Sequence, residues 1–148
     1  MTRGPVGSPG SEPRRSPPPR PRRSPSRTFE RPETFYGSAD EFVREFLIVT
    51  YRREVSPKGE FRWDPQWWMH PEAVARLDSL WRSWEHFRGD PATGMSVWWR
   101  DHADHHMGVL LSPVGPFAKS SATSEPGDPL PYTAPPPGLF VRVSDLSD

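Results

Sequence analysis

The chain has 148 residues, of which 21 are proline and only 33% are hydrophobic, so a single core cannot extend along its whole length. Its formal net charge of +0 conceals a division: residues 1–28 carry seven Arg against one Glu, and residues 29–148 carry twelve Lys or Arg against eighteen Asp or Glu. The absence of cysteine excludes a disulfide framework, a Cys-ligated metal centre and a thiol nucleophile, and no apolar run reaches the roughly 18 residues that a membrane helix needs.

Residues 1–34 are predicted to form a disordered Arg/Pro-rich arm, because Pro, Arg, Ser and Gly bring too little apolar area to offset the entropy of ordering. Pro17, Pro18 and Pro19 favour polyproline II, and Arg14, Arg15, Arg20, Arg22 and Arg23 keep the segment solvated and self-repelling. Those arginines suit either a plain solubilising extension or a weak, nonspecific contact with nucleic acid, one phosphate per guanidinium. The start of the chain offers no apolar core for a signal peptide, so the expected setting is the cytoplasm, with no membrane partner.

The first helix should open at Ser38, whose spacing to Glu41 is that of a capping box, and run to about Glu54 behind Phe42, Val43, Phe46, Leu47 and Ile48. Pro57 and Gly59 then break the chain. The stretch from Phe61 to His70 has no clean period and reads as an ordered loop with tryptophan plugs. Pro71 suits the first position of a second helix running to Arg88, with Ala73, Leu77, Leu80, Trp84 and Phe87 on one face and Val74 and Trp81 widening it. A third helix should start at Met95 or Ser96 and reach His106 or Leu111, unless residues 107–111 form a short strand. These elements predict an all-α, three-helix, tryptophan-rich domain over residues 35–118, flanked by the N-terminal arm and by a mostly disordered Pro-rich tail over 119–148.

Chemistry-bearing residues concentrate between Trp98 and His106. On a helix His102 and His106 are four apart, and with Asp101 they offer part of a ligand set for zinc or manganese, the third ligand coming from His70, Glu85, His86 or Asp90. Ala103 stands where a metallopeptidase places its general base, so that activity is excluded. The alternative is histidines packed and hydrogen-bonded with no metal. No nucleophile elbow, phosphate loop or dinucleotide fingerprint is present. Trp67, Trp68, Trp98, Trp99 and Arg100 are candidates for a protein interface or for base stacking, although residues 36–118 carry nine basic against twelve acidic side chains, the wrong sign for a strand-tracking groove. Adjacent tryptophans cannot share one helical face, so one member of each pair is expected outside.

Residues 51–53 (Tyr-Arg-Arg), 65–68 (Pro-Gln-Trp-Trp), 70–77, 80–86, 90–94, 98–104 and 112–117, with a Pro-rich stretch ending in Gly138-Leu139-Phe140, resemble the DUF4913 family of uncharacterised actinobacterial proteins. The resemblance implies a link to plasmids, phages or other mobile elements and supplies no catalytic residue. Members commonly read Asp-Pro-His where this chain has Asp104-His105-His106, which leaves His102 and His106 as the better pair. The combined expectation is a non-enzymatic accessory module, without cofactor, for protein–protein or nucleoprotein association in mobile-element replication or transfer. The alternative is a metal-assisted hydrolase or nuclease-like domain using Asp101, His102 and His106.

Overall fold

The computed structural model describes residues 16–18 and 33–146, and the chain divides into two units, Met1–Pro32 and Glu33–Asp148. In the first unit, residues 16–18 are exposed and have no regular structure; the expectations for the rest of the arm, Arg14, Arg15, Arg20, Arg22 and Arg23 included, fall outside the described residues.

Ser38 caps helix α1, residues 39–50: its backbone is extended (φ −160°) and its hydroxyl accepts the Glu41 N–H at 3.1 Å. The Glu41 carboxylate reaches back to the Gly37 N–H at 2.6 Å, so the capping box closes one residue further out than the simple motif. The helix is α-helical over Ala39–Phe42, widens to a π turn over Val43–Leu47 and tightens again over Ile48–Thr50. The Ile48 N–H bonds to the Val43 carbonyl, five residues back, and this extra residue in the turn lets Phe42 and Leu47 both reach the core. α1 stops at Thr50 and not near Glu54, because Tyr51 leaves helical geometry (φ −102°, ψ 77°) to place its ring against Trp99 and its hydroxyl on Asp104.

Helix α2, Pro71–Phe87, begins on proline as expected and buries Ala73, Leu77, Leu80 and Trp81. Trp81 lies at the centre of that face, whereas Trp84 and Phe87 are half-buried at its rim. Helix α3, residues 94–110, repeats the device of α1: Gly94–Val97 and Asp104–Leu110 are α-helical around a π turn, Trp98–Ala103, where the Asp104 N–H bonds to the Trp99 carbonyl. Trp98 and Ala103, five apart, are thereby both fully buried. Residues 107–110 are helical, and Gly108 does not interrupt them. Gly94 is required at the α2–α3 corner, since a Cβ there would stand 2.0 Å from the Phe87 carbonyl oxygen. The domain is all-α: three long helices and two short 3-10 turns, Trp67–Met69 and Val143–Leu146, with no strand among the described residues. No helix of the described residues is long and apolar enough to cross a membrane.

Residues 119–146 carry almost no regular structure, as their composition dictates, yet they lie on the body as a strap, so the expected tail boundary at residue 118 falls inside the packed unit. Leu130 is buried in the core and its N–H bonds to the Ile48 carbonyl at the end of α1. The indole N–H of Trp63 donates to the Pro131 carbonyl and that of Trp68 to the Thr133 carbonyl, each at 3.0 Å. Tyr132 donates to Asp40 at 2.6 Å, and burial together with that bond pushes its phenol up to about 12. Phe140 packs on the Trp67 ring, and the Val143 N–H bonds to the Gly37 carbonyl at 2.7 Å. For Trp63 and Trp68 the physical reason is acceptor supply: an extended Pro-rich chain presents carbonyls that no helical ladder has taken, whereas Trp98 shares the helical Leu80 carbonyl and the buried Trp67 indole N–H has no acceptor.

Candidate functional site

One group of aromatic residues forms a connected chain of ring contacts, separate from the Trp63–Phe117 and Trp67–Phe140 pairs. Phe35 and Tyr36 meet Trp84; Trp84 meets Phe42 and Phe46; both phenyl rings meet Trp98; Trp98 abuts Trp99; and Trp99 stacks on Tyr51 at 5.8 Å with 19° between planes. Glu85 anchors the outer end, accepting the N–H groups of Phe35 and Tyr36 at 2.9 and 2.8 Å, the Trp81 indole at 3.3 Å and the Arg88 guanidinium at 2.8 Å. Trp67 and Trp98 have no exposed surface, which removes them from the expected interface or stacking set. Trp98 donates to the Leu80 carbonyl and the Ser83 hydroxyl. Trp68 and Trp99 are half-buried, so each tryptophan pair does have one inner and one outer member, but the outer faces are partly taken by the strap and by Tyr51.

The polar residues of α3 separate instead of converging. Asp101 is held by a two-point pair with its neighbour Arg100 at 2.7 and 3.1 Å, and the adjacent guanidinium lowers its carboxyl. Arg100 is exposed and lies over no indole. His102 turns its ring to Phe87, near the end of α2, at 5.2 Å. His106 turns to Arg76, nearer the start of α2, which donates to its Nδ1 at 3.0 Å; with Nδ1 accepting, the ring proton sits on Nε2 and neither nitrogen keeps a free lone pair. Burial and the positive charge of Arg76 depress the His106 imidazolium. Of the four expected third ligands, His70 pairs with Asp64 at 2.8 Å, Glu85 serves the hub above, Asp90 caps Ala92 and Thr93, and His86 sets its ring edge-on to Phe87 at 4.9 Å. Among the described residues no three His, Asp or Glu side chains are grouped to hold a metal ion.

Sequence reasoning missed a cleft of about 350 Å³ between the end of α1 and the end of α3, lined by Tyr51, Arg53, Glu60, Phe61, Gly108, Leu111, Ser112 and Pro113. Tyr51 is its structural centre: one ring face lies on Trp99, and the guanidinium of Arg53 stands over the ring at 4.5 Å from the centroid. The same guanidinium lies 5.9 Å from the Phe61 ring centre. The Tyr51 hydroxyl donates to Asp104 at 3.0 Å, and burial together with that bond raises its phenol, so it is a poor nucleophile at neutral pH. The available signal was Tyr51-Arg52-Arg53, which the predicted first helix includes and which becomes informative only once α1 is seen to end at Thr50 with Trp99 and Phe61 alongside.

A family model described as Domain of unknown function (DUF4913) matches residues 36–137, a span that takes in α1, α2, α3 and most of the strap. No curated protein and no solved structure matches this chain.

Proposed function

The chain belongs to the DUF4913 family, to which no activity is attached, and from the disposition of its side chains we propose that it is a non-enzymatic association module. The observation that supports this most is where apolar surface remains. Leu139 and Val141 flank Phe140, whose ring packs on Trp67, and Met69 follows Trp67 by two residues; these three side chains are 50–64% exposed. Exposed apolar side chains on the two segments joined by that contact suit a partner protein. Against this, Asp101, His102 and His106 are each occupied by a different neighbour, which leaves the hydrolase alternative and its zinc or manganese without a preassembled ligand set.

In this reading Arg14, Arg15, Arg20, Arg22 and Arg23 add a weak nucleic-acid contact indifferent to sequence, and the module works in the cytoplasm with the replication or transfer machinery of a mobile element. The test of the association is capture of partners by the full chain, wild type against a Met69→Asp/Val141→Asp variant of unchanged melting temperature. A protein retained by wild type and lost by the variant supports the proposal; equal recovery by both contradicts it. For the arm, binding of duplex DNA should weaken with salt at a log–log slope no steeper than about 6.

A further inference from the structure

We propose that the cleft at the end of α1 is a carboxylate-binding site that takes an acid group attached to an aromatic or branched apolar side chain. The inference uses residues other than those of the association surface and stands independently of it.

Arg53 carries the argument. Its guanidinium is held near the faces of two aromatic rings, Tyr51 and Phe61, an arrangement that fixes the plane of the group and leaves its N–H edge for a ligand. One N–H bonds to the Arg52 carbonyl at 2.6 Å, and among the described residues Arg53 has no ion pair. A planar fork of donors with its orientation set and no carboxylate on it matches a carboxylate bidentately. A second donor lines the same cleft: the Ser112 Oγ accepts the Val114 N–H at 3.1 Å, which leaves its own O–H to donate.

The remaining walls define what the acid is attached to. Phe61, Leu111 and Pro113 are apolar, and a Cβ on Gly108 would meet nothing within 4 Å, so the helix surface there is open to a side chain. The volume lies at the small end of ligand pockets, enough for an acid with one side chain of Leu or Phe size. Charge decides between anions. Glu60 lines the cleft together with Arg53, its one guanidinium, and Asp104 accepts the Tyr51 hydroxyl. The one guanidinium matches the single charge of a monoanion, the nearby carboxylates repel a phosphate dianion about twice as strongly as a monoanion, and residues 36–118 are net acidic, which opposes a nucleic-acid strand.

Free acids and the C-termini of peptides share this chemistry, so the experiment carries an arm for each. Full-length ¹⁵N-labelled protein is titrated with phenylacetate, with a tetrapeptide ending in Phe, with the same peptide amidated, and with inorganic phosphate, following the amides of Gly108 and Ser112. The acid forms should shift both amides and the amidated peptide should not. Tighter binding of phenylacetate assigns a free acid, and tighter binding of the peptide assigns a chain terminus. Arg53→Gln should weaken the acids by about tenfold or more, Arg53→Lys should fall between because it keeps the charge and loses the fork, and Glu60→Gln should tighten them. Binding of the amidated peptide as tight as the acid, phosphate binding tighter than either acid, weaker binding in Glu60→Gln, or no response to any probe would overturn the assignment. The acid-against-amide comparison in wild type and the Glu60→Gln variant keep the test decisive if Arg53→Gln fails to fold.

Discussion

Trp98→Ala separates a structural indole from a recognition indole. Trp98 has no exposed surface, stands edge-on to Phe42, Phe46 and Trp99, and donates to the Leu80 carbonyl at 3.2 Å and the Ser83 hydroxyl at 3.0 Å. Its truncation removes the transfer free energy of a fully buried indole and leaves a cavity between three helices, about 3–5 kcal/mol. Loss of the indole N–H adds little, because the Ser83 hydroxyl itself donates to the Leu80 carbonyl at 3.1 Å and that acceptor is not orphaned. Against a total stability of about 5–15 kcal/mol, Trp98→Ala should be marginal, and Trp98→Phe, which keeps a ring in place, should lose roughly 1–2 kcal/mol. Urea unfolding followed by far-ultraviolet circular dichroism measures both. If Trp98→Ala unfolds within about 0.5 kcal/mol of wild type, the residue behaves like an ordinary surface site and the aromatic chain is not the core.

The two α2 tryptophans should rank by burial: Trp81→Ala should destabilise more than Trp84→Ala, as read from urea midpoints, and the reverse order would place the face one turn further along the helix. His106 has its folded pKa depressed below 6.5, so the unfolded chain takes up a proton first as pH falls; stability should be full above about 6.5, decline as pH drops through that value toward the lower folded pKa, and be flatter in His106→Gln. A wild-type curve over pH 5–8 that superposes on that of the variant would show that Arg76 and burial do not act on this ring. Chelator should leave the melting temperature unchanged, whereas stoichiometric zinc or manganese that survives dialysis and is lost in both His102→Ala and His106→Ala would restore the hydrolase alternative.

The helices were legible because their signals are local. Ser38 with Glu41, Pro71 and the spacing of Ala73, Leu77 and Leu80 each act within a turn or two of chain, and each lies where the sequence places it. The π turns were not legible, since a five-residue step between Phe42 and Leu47 or Trp98 and Ala103 reads as broken periodicity until the helix is seen to widen. The strap was hidden for a different reason. Pro131 and Thr133 are held by what they offer, carbonyls to Trp63 and Trp68, and a composition rule built on buried area gives no weight to an acceptor. The Pro-rich stretch in the family resemblance was the available hint. Likewise the cleft depends on contacts across 48 residues between Tyr51 and Trp99, which no spacing rule connects.

The central structural claim is that residues 119–146 complete the domain by supplying acceptors and one core side chain, and indole hydrogen exchange tests it most directly. In full-length protein the Nε1 protons of Trp63 and Trp68 should both exchange more slowly than in the unfolded chain, and that of Trp63 should be the better protected, since its ring is fully buried. Leu130→Ala, which empties the strap's anchor at a cost of about 2–5 kcal/mol, should accelerate both. Fast exchange of both indoles in wild type, with Leu130→Ala as stable as wild type, would show the strap detached and the body ending at residue 118.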